Sequence, residues 1–146
     1  MVQTWMVQTV IGRTCLLAVL LLMGATNAWA QAASTDAKAA AVPVVKQLEA
    51  FRRNDFDAAF TFASGMIQGR FDRRNFEVMV RSGYPEIAQS TFAAVTKTEL
   101  ETPGLAYVTV KIRGANGQSI EALYEVVWED DWKINGVATR PDASII

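Results

Sequence analysis

The spacing of apolar residues changes twice along this chain. From Cys15 to Met23 every position is apolar. From Val44 to Val80 apolar residues return every three or four positions, and from Thr91 onward they alternate with polar ones. Each regime predicts a different element.

Arg13 precedes the first run and is the only charge before Asp36; Gly24 and Ala28-Trp29-Ala30 follow it. A basic residue, a short apolar stretch and a small-x-small site are the parts of a secretory signal peptide. Residues 1–30 are therefore expected to be cleaved off after Ala30, which implies a secreted, periplasmic protein. The run is too short for a membrane span, which needs about 20 apolar residues. Cys15 stands at the wrong end of it to carry a lipid. Met1-Val2-Gln3-Thr4 recurs as Met6-Val7-Gln8-Thr9, which leaves Met1 and Met6 both open as the start. Gln31 to Lys38 is small and polar, and residues 31–42 are expected to form a flexible leader.

The second regime predicts helices. Val44, Val45, Leu48 and Phe51 form an apolar stripe, with Lys46, Glu49, Arg52 and Arg53 on the other side. Pro43 suits the first turn of that helix, where its missing N–H is no loss. Asn54-Asp55 is a polar break offering an N-cap. A second short helix carries Phe56, Ala59, Phe60 and Ala63 on one face and is expected to end at Ser64-Gly65. Met66, Ile67 and Phe71 mark one further turn. Asp72 then reads as the N-cap of a helix from Arg73 to Arg81, with Phe76, Met79 and Val80 buried. Ser82-Gly83 is the expected C-cap and Pro85 the stop.

The third regime predicts strands. Ala106, Val108, Val110 and Ile112 alternate with polar neighbours, as do Ile120, Ala122, Tyr124, Val126 and Trp128. Asn116-Gly117 between these two runs is a strong hairpin signal. A weaker strand spans Thr91 to Leu100, joined through Thr102-Pro103-Gly104, and a last one runs from Trp132 to about Thr139. Asn135-Gly136 inside that last strand has too little chain after it for another hairpin, so a bulge or bend is expected. The third strand carries Leu123 and Val127 opposite Ile120 and Val126, which suits a central strand, a second buried face or a dimer contact. Helices in one block and strands in another predict an α+β fold: N-terminal helices on a curved four-stranded antiparallel meander. One domain over residues 43–140 is expected, with 141–146 as a tail.

Composition narrows the chemistry. The chain holds 14 Lys plus Arg, 15 Asp plus Glu, one Cys and no His. Without His there is no imidazole acid/base relay and no His-bearing zinc site. A single Cys forms no internal disulfide, and the predicted cleavage removes it. Cleavage also removes Arg13 and no acid, so the exported chain is one unit more negative than the formal −1 of the whole. A charge so near zero argues against nucleic-acid binding. No metal site and no cofactor is expected.

One set of residues carries a resemblance: Gln47 to Asp55, Ala58 to Ser64, then Ile67, Phe71, Phe76, Met79-Val80 and Gly83-Tyr84-Pro85, and finally Tyr124-Glu125-Val126 with Trp132 to Val137. In these the chain resembles the bacterial family labelled domain of unknown function 4864, and more broadly the NTF2-like superfamily. The resemblance implies a cone-shaped NTF2-like or cystatin-like fold. It implies no defined activity, because that superfamily hosts enzymes, ligand binders and interaction modules.

Carboxylates and tyrosines are the chemistry left. Asp55, Asp57 and Asp72 lie at helix starts, where they cap. Glu121 and Glu125 share the more polar face of one strand and are expected to be solvated. Tyr84, Tyr124, Trp128 and Trp132 are the candidate ligand-binding residues: Tyr124 shares the core-facing side of its strand, and the two Trp flank a turn that would suit a pocket mouth. No catalytic residue is assigned. Arg70, Arg73 and Arg74 concentrate positive charge in the helical half and suggest a contact with an anion or a lipid headgroup.

The leading expectation is non-catalytic binding of a small apolar or amphipathic ligand, or of an envelope protein partner. One alternative is a carboxylate- and tyrosine-based isomerase or dehydratase; another is a homodimer through the outer sheet face around Leu123 and Val127. A pocket above about 300 Å3 favours ligand binding; a cone filled by Phe60, Phe76 and Trp132 favours an interaction module. Protein recovered from a cell envelope is expected to begin at Gln31 on N-terminal sequencing, whereas a retained Cys15 would refute the cleavage.

Overall fold

The computed structural model describes residues 15–144, with side chains at 32 and 35–144. Arg13 and the repeated Met-Val-Gln-Thr therefore lie outside the described residues. The chain divides into two compact units, Met1–Thr35 and Asp36–Ile146. Among the described residues no helix is long and apolar enough to cross a membrane.

Among the described residues five helices precede four strands: α1 (Cys15–Arg52), α2 (Phe56–Thr61), α3 (Gly65–Arg70), α4 (Arg73–Gly83), α5 (Pro85–Ala88), β1 (Ser90–Thr102), β2 (Leu105–Gly114), β3 (Ser119–Trp128) and β4 (Trp132–Pro141). The strands form one antiparallel sheet in the order β1-β2-β3-β4. The fold is α+β, with helices on one face of a curved four-stranded meander, and β3 is an interior strand.

Each helix junction follows from a local cap. Asn54 sits at φ +59 just past α1. There its N–H donates to Phe51 O (2.9 Å) while the Asp55 N–H reaches Ala50 O (2.9 Å). These two bonds make a Schellman end with Asn in the left-handed position. Asp55 then caps α2 by accepting from Ala58 N at 2.9 Å. Asp72 caps α4, accepting from Asn75 N at 2.8 Å.

Five local expectations fail, each for a physical reason. Pro43 lies inside α1 rather than at its start. The segment expected as a flexible leader is rich in Ala, the best helix former, and the helix propagates through it despite the lost hydrogen bond. Ala40 is fully buried in the core, so the leader packs. Val45 is exposed, because the buried stripe runs Ala40, Val44, Leu48, Phe51 and takes in Gln47 between them. Ser64-Gly65 does not end a helix; Ser64 caps α3, its hydroxyl accepting from Ile67 N at 3.3 Å. Pro85 does not merely stop α4, which runs through Gly83, but starts α5 at the position where proline is favoured.

The sheet buries one side of β2 and β3: Ala106, Val108, Val110 and Ile112, with Ala122, Tyr124 and Val126 beside them. Against it pack Leu48, Phe51, Phe56, Phe76, Val80 and Ile87. Phe51 sits 5.2 Å from Phe56 and 6.3 Å from Phe76, and Phe76 sits 5.0 Å from Phe60, all between ring centroids. The turn at Asn116-Gly117 forms as expected, with Gly117 at φ +81.

In β4, Gly136 pairs with Glu125 and Ile134 with Val126, which leaves Asn135 as the extra residue of a bulge. Beside the bulge the chain before α3 lies along β4: Ser64 N–H donates to Ile134 O, and Ile134 N–H to Phe62 O, both at 2.8 Å. Ser64 Oγ donates to Asn135 Oδ1 at 2.8 Å, and Asn135 Nδ2 donates to Glu125 Oε1 at 2.6 Å. Ser64 is fully buried. Removing its hydroxyl leaves buried groups unpaired, which costs about 1–3 kcal/mol, whereas losing an exposed cap costs about 1 kcal/mol. Ser64→Ala is thus expected to lower the urea midpoint more than Asp72→Ala; the reverse order would mean that the Ser64 link does not secure α3.

Candidate functional site

The helices do not close completely on the sheet. They leave a cavity of about 360 Å3 whose walls come from α1, α3, α4, α5, β3 and β4. Its inner surface includes Phe51, Phe76, Val80, Ile87 and Ile134, all buried. Met66 and Arg70 of α3 are exposed and stand at its rim. The volume passes the limit set above for a ligand pocket. Phe60 and Phe76 pack together without filling the space.

Tyr124 stands on β3 at the inner wall and is 1% exposed. Its hydroxyl is buried with no hydrogen-bond partner among the described residues. Burial and, secondarily, the neighbouring Tyr84 push its ionisation well above the ordinary tyrosine range, so at neutral pH it is an intact O–H donor. Tyr84 also lines the cavity. Its own hydroxyl reaches Val137 O only at 3.5 Å, a long bond. The corner between α4 and α5 places it there, since Tyr84 ends one helix and precedes Pro85 of the next.

Two more polar groups line the cavity. Gln47 is buried on α1, its Nε2 held by Ala59 O at 3.1 Å. Asn135 arrives through the β4 bulge and is fixed between Ser64 and Glu125. Bulges often aim side chains in this way at functional positions. Among the described lining residues there is no Asp or Glu. The acid that a carboxylate–tyrosine isomerase would use is not on this wall.

Of the four candidate ligand residues, the cavity brings Tyr84 and Tyr124 together. Trp128 and Trp132 do not line it. They stack edge to face across the β3–β4 turn, centroids 5.7 Å apart, with Trp128 56% exposed and Trp132 buried. The carboxylates are engaged elsewhere. Asp57 pairs with Arg73 at 3.4 Å, Glu121 pairs with Arg140, and Glu129 accepts from Gly65 N at the start of α3. No three His, Cys, Asp or Glu side chains gather to hold a metal among the described residues. Sequence reasoning passed over Gln47, whose signal was a polar residue inside the apolar stripe of α1.

A buried hydroxyl without a partner costs about 1–3 kcal/mol. Tyr124→Phe is therefore expected to stabilise the ligand-free protein by about 1 kcal/mol in urea unfolding. The pH dependence has a definite sign. The native state holds the Tyr124 proton more tightly than the unfolded chain, whose tyrosine ionises near the ordinary value of 10.0, so native stability is lost as pH rises above that value. Tyr124→Phe should remove this part of the alkaline slope. A variant clearly less stable than wild type would show that the hydroxyl is satisfied, and an unchanged slope would show that the native state does not hold its proton more tightly.

No curated protein matches the chain. The family model described as Domain of unknown function (DUF4864) matches residues 32–145, which takes in every residue that lines the cavity. The chain belongs to this family.

Proposed function

We propose that the protein is an exported, non-catalytic binder that holds a small, largely apolar molecule in the cavity under α3 and α4. The observation that carries this reading is the Tyr124 hydroxyl. Evolution rarely leaves a fully buried O–H unpaired in a core, and such a group calls for its own explanation. At the inner wall of an apolar space, a ligand oxygen accepting its proton supplies one. Tyr84, Gln47 and Asn135 add a few convergent polar groups to a mainly hydrophobic wall, the usual composition of a small-molecule site. The start of the family match at residue 32, just past Ala30, supports residues 1–30 as a leader separate from the binding domain. Release into the periplasm is part of the same proposal.

The test uses N-phenylnaphthylamine, a neutral dye that brightens in apolar sites. The full chain is expected to take it up saturably with one site. Met79→Trp and Val137→Phe, which fill the cavity from two sides, are expected to abolish uptake while keeping the circular dichroism of the fold. Methyl octyl ketone should displace the dye from wild type about fivefold more tightly than from Tyr124→Phe, the worth of one hydrogen bond of about 1 kcal/mol. Absent or unsaturable uptake, or equal uptake by the filled variants, would overturn the reading.

A further inference from the structure

The cavity rim carries one charge. Among the lining residues only Arg70 is ionised, and it is exposed at the end of α3. No ion pair or hydrogen bond holds its guanidinium among the described residues, although acids lie close in sequence. Asp72, two residues on, is committed to Asn75 through both oxygens, at 2.8 and 3.0 Å. Asp57 is taken by Arg73. Arg81, another cation of the helical layer, is held by Glu77 at 2.8 Å and by Asn54, and lies 4.3 Å over the Phe56 ring. Among the described residues Arg70 is thus the unpaired cation that lines the opening. A free guanidinium above an apolar space forms a site with two ends, one charged and wet, the other dry.

We propose that the ligand of this cavity is an anionic amphiphile, its carboxylate paired with Arg70 at the rim and its alkyl chain laid on Ile67, Phe71, Phe76 and Met79. This rests on the binding reading above and adds a charge to it. Arg suits the role because its planar fork matches a carboxylate with two parallel N–H···O bonds. The rim position lets the charged head stay in contact with water, so its full desolvation is not required. The chain enters a wall of buried aliphatic and aromatic groups, where each buried methylene is favourable by about 0.8 kcal/mol.

Three probes of equal chain length separate the charge from the hydrophobic term: decanoate, decanol and decyltrimethylammonium, each below its micelle concentration and each displacing N-phenylnaphthylamine from the full chain. Decanoate is expected to bind about five- to tenfold more tightly than decanol, and the ammonium more weakly than decanol. The preference for decanoate should shrink as salt rises, because the pair is exposed. Arg70→Gln should bring the ratio of decanoate to decanol affinity to about one, while Arg70→Lys should retain part of the preference. Equal binding of decanoate and decanol by wild type, or a preference that survives in Arg70→Gln, overturns this inference while dye binding still stands. Loss of saturable dye uptake by wild type overturns the underlying binding reading instead.

Discussion

A helix of six residues does not hold itself together in water, because the cost of nucleation is never recovered over so few hydrogen bonds. In this fold α3 is such a helix, and it forms one wall of the cavity. What holds it is the edge of β4. Ala63 extends the sheet by one parallel bridge to Ile134, and Ser64 beside it caps α3 with the same side chain that grips Asn135. Glu129 accepts from another free N–H at the helix start, with both oxygens about equally near Gly65 N (3.1 and 3.0 Å). The bulge at Asn135 makes this geometry available, since it turns an extra side chain out of the ladder toward both Ser64 and Glu125. Without that clamp, Ile67, Phe71 and Arg70 would have no fixed position and the cavity no outer wall.

The inner side is organised by the opposite principle. The Phe51, Phe56, Phe60 and Phe76 rings pack against one another, and the sheet presents small branched residues to them. The family-matched domain carries no Cys and no His, so its cohesion rests on this packing. Within such a core an empty space and an unpaired hydroxyl both reduce stability. Tyr124 and the cavity beside it are therefore a local concession of stability, and functional sites are where such concessions concentrate.

Much of this was legible in the sequence, because the deciding physics is local. Asp55 and Asp72 read as caps and are caps. Alternation set the strands, Asn116-Gly117 set their hairpin, and the awkward Asn135-Gly136 pair marked the bulge. The readings that failed are those where the surroundings outweigh a local rule. Pro43 reads as a boundary until the Ala-rich segment before it carries the helix across. Val45 and Val44 look equivalent until the stripe settles on Ala40, Val44, Leu48 and Phe51. Trp128 and Trp132 suit a pocket mouth by composition, but the turn pairs them with each other. Arg70 was visible only as one of three neighbouring arginines; that Arg73 is paired and Arg70 is not depends on where Asp57 and Asp72 fall in space.

The most direct test of the account is whether an alkyl chain lies in this cavity. With the methionine methyl groups labelled with carbon-13, decanoate is titrated into the full chain. The Met79 methyl resonance is predicted to shift saturably and to show contacts to the decanoate methylenes, with rim Met66 shifting less. A Met79 resonance that stays unmoved while decanoate binds elsewhere, or does not bind, would contradict it.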